Sequence, residues 1–291
     1  MAKKKSADYE VISNAEYRKR DGLASTDIKR MMKSMAYWKY LQDNPEDERD
    51  TPSLKFGRAS HKFMLEPYDF DNEYIVSPKI DRRTKEGKAA YEQFLKDAGN
   101  REVIDEETFD QLTKMREALY ATPYVRKLLD GEHEKSFFWT DEKTGLKCKC
   151  RADSFGKFGS ANIIVDYKTV ENAETTAFMR DALRFGYDVQ AAHYLDGIQT
   201  ITGEKYRFVF VAQEKTSPYL CNVLEADEFF IRNGFEVRDE IFKTYKKCLE
   251  RDEWVGYMGF KDDKNFANEL TVPAWIRNAM SEEQGYADEV G

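Results

Sequence analysis

Two carboxylates and an amine lie close together in the stretch Cys150–Thr169, which reads C-R-A-D-S-F-G-K-F-G-S-A-N-I-I-V-D-Y-K-T. Its apolar alternation and Gly-rich turn predict two short strands, with Asp153 on the first and Asp166 and Lys168 on the second. Side chains alternate across a strand, so Asp166 and Lys168 share one face while Ile163 and Val165 point the other way into a core. If the strands are neighbours, Asp153 lies beside Asp166. Two carboxylates can hold a hard divalent cation, and a nearby ammonium can stabilise developing negative charge. That combination suits hydrolysis of a phosphodiester. A lone D-x-K is a weak signal, so the case depends on what else is brought to it.

Three further groups of residues fit the same scheme. Gln190 and Tyr194 lie four apart in Gln190-Ala-Ala-His-Tyr194, on one helical face, with small alanines that let the helix approach a sheet closely. They can orient a lysine, a water or a phosphate, or simply bond locally. His61 sits in Phe56-Gly-Arg-Ala-Ser-His61, where Gly57, Ala59 and Ser60 permit close packing. On the strand Leu146–Asp153, alternation places Leu146, Cys148, Cys150 and Ala152 inward. Lys147, Lys149, Arg151 and Asp153 then form a basic stripe ending in a carboxylate, which suits a polyanionic substrate as well as it suits a solvated strand face. His133 and His193 have no such setting.

The elements that must position these residues follow from period and punctuation. Helices are predicted from Ser25 to Leu41, from Leu54 to Leu65 before Pro67, from Lys85 to Ala98 before Gly99, and from Glu106 to Leu129. Residues 68–83 look irregular. After Gly131 the period changes, and strands are predicted at 135–141, 147–155, 163–169, 206–213 and 219–223. A helix over 176–200 separates the third and fourth strands, a crossover that implies parallel pairing there. A long helix over 227–251 follows. The organisation expected is a flexible segment 1–24, one domain over 25–255 (25–130 mainly helical, 131–255 an α/β core) and a tail over 256–291.

Taken together these motifs resemble the PD-(D/E)XK nucleases, specifically phage-type exonucleases similar to RecE (exonuclease VIII). Phe56-Gly-Arg-Ala-Ser-His61-Lys-Phe-Met-Leu-Glu-Pro67 resembles the N-terminal G-x-x-x-H-x-x-x-L-E-P helix of that family. Arg151-Ala-Asp153 resembles its first acidic motif, although no proline precedes the aspartate. Val165-Asp166-Tyr-Lys168-Thr169 resembles its D-x-K-T motif, and Gln190 to Tyr194 the Q-x-x-x-Y motif shared with RecB-type nucleases. Arg82-Arg83-Thr-Lys-Glu-Gly-Lys88 resembles a basic segment carried before the sheet. The resemblance covers roughly residues 20–250 and implies a restriction-endonuclease-like α/β core, a central mixed sheet flanked by helices, with a helical N-terminal part. It implies that His61, Asp153, Asp166 and the carbonyl of Tyr167 bind Mg²⁺ or Mn²⁺. Lys168 would position the attacking water, with Gln190 and Tyr194 supporting it and the DNA backbone. It further implies action on double-stranded DNA ends, 5′ to 3′ polarity, a single-strand annealing partner in recombination and a homo-oligomer.

Composition bounds these expectations. The chain has 291 residues, 41% of them hydrophobic and 34% charged, which allows a substantial core in a soluble protein. No apolar run approaches the ~18 residues of a membrane span. The basic start lacks the apolar stretch of a secretory signal, and four cysteines are few, so a cytoplasmic location is expected. Cys148, Cys150, Cys221 and Cys248 lack the spacing of an iron–sulfur nuclease and read as core residues. A net charge of −8 argues against coating nucleic acid non-specifically but not against a local basic groove. The competing classes are a CRISPR-associated or repair endonuclease of the same superfamily, and a catalytically inactive DNA-binding or assembly protein of that fold.

Overall fold

The computed structural model of the chain describes residues 9–48, 50–264, 267–272 and 277–278. Strand β1 (Tyr9–Glu10) and helices α1 (Asn14–Lys19), α2 (Ser25–Lys33), α3 (Met35–Asp43), α4 (Pro52–Leu65) and α5 (Phe70–Glu73) come first. Strand β2 (Tyr74–Ser77), α6 (Lys85–Ala98), β3 (Glu102–Asp105), α7 (Glu106–Ala121) and α8 (Val125–Leu128) follow. The remainder is β4 (Glu132–Thr140), β5 (Lys147–Phe158), β6 (Ala161–Val170), α9 (Thr175–Arg184), α10 (Tyr187–Thr202), β7 (Arg207–Glu214), β8 (Cys221–Glu225) and α11 (Glu228–Arg251).

The main sheet has the order β1-β4-β5-β6-β7-β8 and is mixed: β6 and β7 run parallel and the other neighbours antiparallel. The crossover of α9 and α10 between β6 and β7 accounts for the parallel pair, because strands running the same way need a long return. Strand β6 is buried on both faces, which its run Ile163-Ile164-Val165 foreshadows. Ile164, Phe208, Phe210 and Ala212 face a core built with α2, α3, α10 and α11. Ile163, Val165, Tyr167, Val209 and Val211 face a second core built with α4, α5, α7 and α8. The helix-flanked mixed sheet is the architecture that the motifs imply.

Several elements differ from the sequence reading. The helix expected from Ser25 to Leu41 breaks at Ser34, whose extended backbone and hydroxyl cap α3 through the Tyr37 N–H. The helix expected to reach Leu129 ends at Ala121, because Thr122 precedes Pro123 and is driven extended. The 176–200 helix is two, separated at Gly186, whose φ of 66° a side chain would disfavour. Residues 68–83 are not irregular throughout: Phe70 stacks on Tyr74 at 4.8 Å, and β2 pairs in parallel with β3 in a separate two-stranded sheet. Segments this short carry too little periodicity to declare themselves. Within the segment 1–24, β1 adds to β4 and Leu23 bonds to the backbone of Lys147 and Lys149. Residues 1–8 and much of the 256–291 tail lie outside the described residues.

Helix α10 lies close on the sheet because small residues allow it. Ala191 and Ala192 are fully buried, and a Cβ at Gly197 would stand 2.5 Å from the Trp139 ring. His193 on this helix is a core residue: it is fully buried, and its Nε2 lies 3.1 Å from the Lys149 carbonyl. Burial first, and Arg238 second, push its pKa from 6.5 down to about 3. Charging it in the folded state is therefore disfavoured. Its contribution to stability is complete above pH 6.5 and is lost between 6.5 and about 3, at roughly 1.4 kcal/mol per pH unit. We expect the thermal midpoint to fall between pH 7 and 4.5 more steeply in the wild type than in His193→Gln. Parallel declines would contradict that assignment.

Candidate metal centre and active site

The site forms where two strands part. β5 and β6 pair from Phe158↔Ala161 to Ser154↔Val165, and the register stops there. The next residues along are Asp153 and Asp166. Beyond the fork, β6 continues beside β7 alone, and the freed edge of β5 is taken up by Leu23. The Tyr167 N–H, left without a ladder partner on that side, donates instead to Asp153 Oδ2 at 2.8 Å. The fork thus places both aspartates at one level, as the spacing suggested, and ties one of them to the backbone of the other strand.

His61 reaches this point from α4. Its neighbour Ser60 is fully buried and lies 3.1 Å from the Tyr167 hydroxyl, which donates to Gln213 Oε1 at 2.7 Å. Gln213 in turn donates to the Met115 carbonyl at 2.7 Å. This chain of bonds locks α4 and α7 to the underside of β6 and β7. His61 Nε2 then stands 2.9 Å from Asp153 Oδ2, and His61 Nδ1 stands 3.4 Å from Glu134 Oε1. Donor atoms of His61, Glu134 and Asp153 all lie within 4.8 Å of one another. A histidine nitrogen and two carboxylates are a reasonable donor set for a divalent cation.

Glu134 is held in an unusual state. Its φ of 52° is left-handed, a conformation that costs a residue with a side chain about 1–3 kcal/mol and persists where surroundings enforce it. Arg151 bonds its Oε2, while its Oε1 is buried and makes no hydrogen bond. Its Oε1 is met by His61 Nδ1 at 3.4 Å as an ion pair without a hydrogen bond, and an acceptor in that setting fits a group that binds a cation.

The electrostatics follow from burial and neighbours. Burial raises the Asp153 pKa, but His61 beside it more than offsets this and the net shift is downward. Burial opposes the charging of His61, yet Asp153 and Glu134 outweigh it and lift its pKa to about 9. Burial raises Glu134. As an imidazolium, His61 bridges the two carboxylates, and it must give up that proton to serve as a ligand.

Across the fork, Asp166 is almost fully buried. Lys168 Nζ lies 2.6 Å from its Oδ2, and Gln190 Nε2 donates to its Oδ1 at 2.5 Å. Burial raises the Asp166 pKa, against the pull of Lys168. Burial also acts against the charged form of Lys168, but Asp166 and its neighbours prevail and its pKa is raised. Lys29 reaches in from α2 and donates to Gln190 Oε1 at 2.6 Å. Burial and the like charge of Lys168 bring its pKa down to about 7.

Over residues 24–262 the chain matches the family described as a PDDEXK-like domain of unknown function (DUF3799). It belongs to that family. Among solved structures it is similar to a protein from Eubacterium rectale described as a "putative exonuclease", with 14% identity, a TM-score of 0.59, and coverage of 93% of this chain and 98% of that one. The structure of SSO0001 covers 63% of this chain and 85% of its own, at 14% identity and a TM-score of 0.24. No curated protein matches the chain.

In this PDDEXK-like chain the residues singled out from sequence fare unequally. Asp153, Asp166, Lys168, His61 and Gln190 converge on the fork. Gln190 touches Asp166 rather than Lys168. Tyr194 is buried against Phe208. Among the described residues no hydrogen bond joins it to Lys168 or to either aspartate. The Tyr167 backbone sits at the fork, while its side chain points to the opposite face. Two members of the basic stripe are withdrawn from solvent: Lys149 is buried with its amine on the carbonyls of Tyr17 and Arg20, and Arg151 is paired with Glu134, while Lys147 stays exposed beside Asp21. Arg83 is exposed, with its guanidinium beside Asp81. Cys148 and Cys150 do point inward.

Two residues escaped the sequence reading. Glu134 lies in Glu132-His133-Glu134-Lys135, which looks like an ordinary polar strand start, and its left-handed backbone has no sequence signature. Lys29 adjoins Ile28 at the margin of an apolar stripe, where lysines commonly reach solvent.

Proposed function

We propose that this protein is a metal-dependent exodeoxyribonuclease that hydrolyses linear double-stranded DNA from its ends, 5′ to 3′, working as a homo-oligomer beside a single-strand annealing protein in phage-type recombination. The observation that carries the reading is the convergence of His61, Glu134 and Asp153 with the Asp166–Lys168 pair at one strand fork. A binding protein without chemistry has no need of a buried amine held 2.6 Å from a buried carboxylate beside such a cluster. The end-dependent part draws on the RecE-like motifs and on the name given to the Eubacterium rectale protein.

In this reading His61, Glu134 and Asp153 hold Mg²⁺ or Mn²⁺, with Asp166 and the Tyr167 carbonyl completing the set. When bound, the ion supplies a polarised phosphoryl oxygen and hydroxide near neutral pH. Lys168, kept charged by Asp166, orients the attacking water and offsets charge on the scissile phosphate. Gln190 fixes the Asp166 carboxylate, and Tyr194 braces α10 against the sheet from within the core.

Incubation of linear and covalently closed duplexes with Mg²⁺ tests the end-dependence. The linear DNA should shorten from its termini and the circle should persist. Cutting of the intact circle would favour the CRISPR-associated or repair endonuclease reading instead.

A further inference from the structure

We propose that Lys29 is a positioning residue that fixes the orientation of the Gln190 amide, and through it the Asp166 carboxylate. This rests on the nuclease reading above. A glutamine amide can turn over, exchanging its oxygen and nitrogen. With nitrogen toward Asp166 it donates to a carboxylate; with oxygen toward Asp166 two acceptors face each other in a buried site. Gln190 adopts the first arrangement, at 2.5 Å from Asp166 Oδ1. What discriminates between the two is the group on its other side. Lys29 Nζ donates to Gln190 Oε1 at 2.6 Å; charged, it offers donors alone, and neutral, it still turns an N–H toward that oxygen. It therefore selects the oxygen, which leaves the nitrogen for Asp166. With Oδ1 held by Gln190 and Oδ2 by Lys168, the plane of the carboxylate is set from both ends.

The fold is arranged to bring this amine in. Leu23 pairs with the freed edge of β5, and α2 begins two residues later, so the strand fork itself anchors the helix that carries Lys29. Lys29 also stands 4.8 Å from the centre of the Tyr187 ring, and Lys168 stands 4.9 Å from the same ring. Tyr187 is one helical turn before Gln190 on α10. Both amines are thus placed by one helix face, although they come from different parts of the chain.

A double-mutant cycle tests this. The variants are Lys29→Met, Lys29→Arg, Gln190→Met and Lys29→Met with Gln190→Met, read by steady-state cleavage of linear duplex DNA and by calorimetric titration with Mn²⁺. Lys29→Met should lower kcat about 10- to 100-fold, the usual range for an outer residue that orients a ligand, with KM for DNA unchanged. It should also weaken Mn²⁺ binding. Lys29→Arg should recover part of both losses, and in the Gln190→Met background Lys29→Met should cost nothing more. Equal losses in both backgrounds, a rise in KM with kcat intact, or unchanged Mn²⁺ affinity in Lys29→Met would overturn the proposal. If the wild type cleaves no DNA, the nuclease reading fails, and the Mn²⁺ cycle still decides whether Lys29 acts through Gln190.

Discussion

Asp166→Asn should lower DNA cleavage by at least about 10²-fold, the scale of losing one group that stabilises a transition state. The substitution keeps the shape of the side chain and removes its charge. An amide nitrogen then faces the Lys168 ammonium, donor against donor, where a carboxylate oxygen now lies 2.6 Å away. Lys168 also loses the largest influence that keeps it charged against burial, so its pKa should fall. In the proposed site the cation would lose a ligand at the same time. The Gln190 bond survives, because the amide oxygen of Asn can accept it, so the fold should hold. Thermal unfolding in EDTA checks that the variant is folded, and a time course on end-labelled DNA reads the loss. Undiminished cleavage by the purified variant would show that the site is elsewhere.

Lys168→Ala should reduce kcat about 10²- to 10³-fold while DNA affinity changes little. The amine is mostly buried, on the carboxylate of Asp166 and over the Tyr187 ring, and so contributes little to long-range attraction of DNA. Its effect belongs to the moment when charge builds on the phosphate. Binding measured in Ca²⁺ or EDTA should therefore match the wild type within a few-fold. A variant that binds poorly but turns over normally at saturating DNA would contradict this role.

The two substitutions also separate what the sequence discloses from what only the fold supplies. Asp166 and Lys168 are legible because a strand has period two and a buried strand is apolar: the pair stands out against Ile163-Ile164-Val165. Gln190 is legible because helical spacing and adjacent alanines mark the face of α10 that meets the sheet. The parallel pairing of β6 with β7 follows from the length of the crossover. Asp153 could be placed on its strand, but not the reason it meets Asp166, which is that β5 and β6 separate after Ser154↔Val165. Local sequence carries no sign of where two strands diverge. Glu134 and Lys29 were hidden for the same reason. One depends on a left-handed residue and the other on a segment, Leu23, that fills the edge left by the fork. The basic stripe misled because alternation predicts a face and not its neighbours: Lys149 caps the carbonyls at the end of α1 rather than meeting solvent.

The most direct test of the central claim, that a divalent cation held by His61, Glu134 and Asp153 drives phosphodiester hydrolysis, is a time course on end-labelled linear duplex DNA. Wild-type protein is compared with Asp153→Asn, each with Mg²⁺ and with EDTA. The account predicts progressive release of label by the wild type in Mg²⁺ alone, and none by the variant or in EDTA. Equal release with EDTA, or by Asp153→Asn, would contradict it.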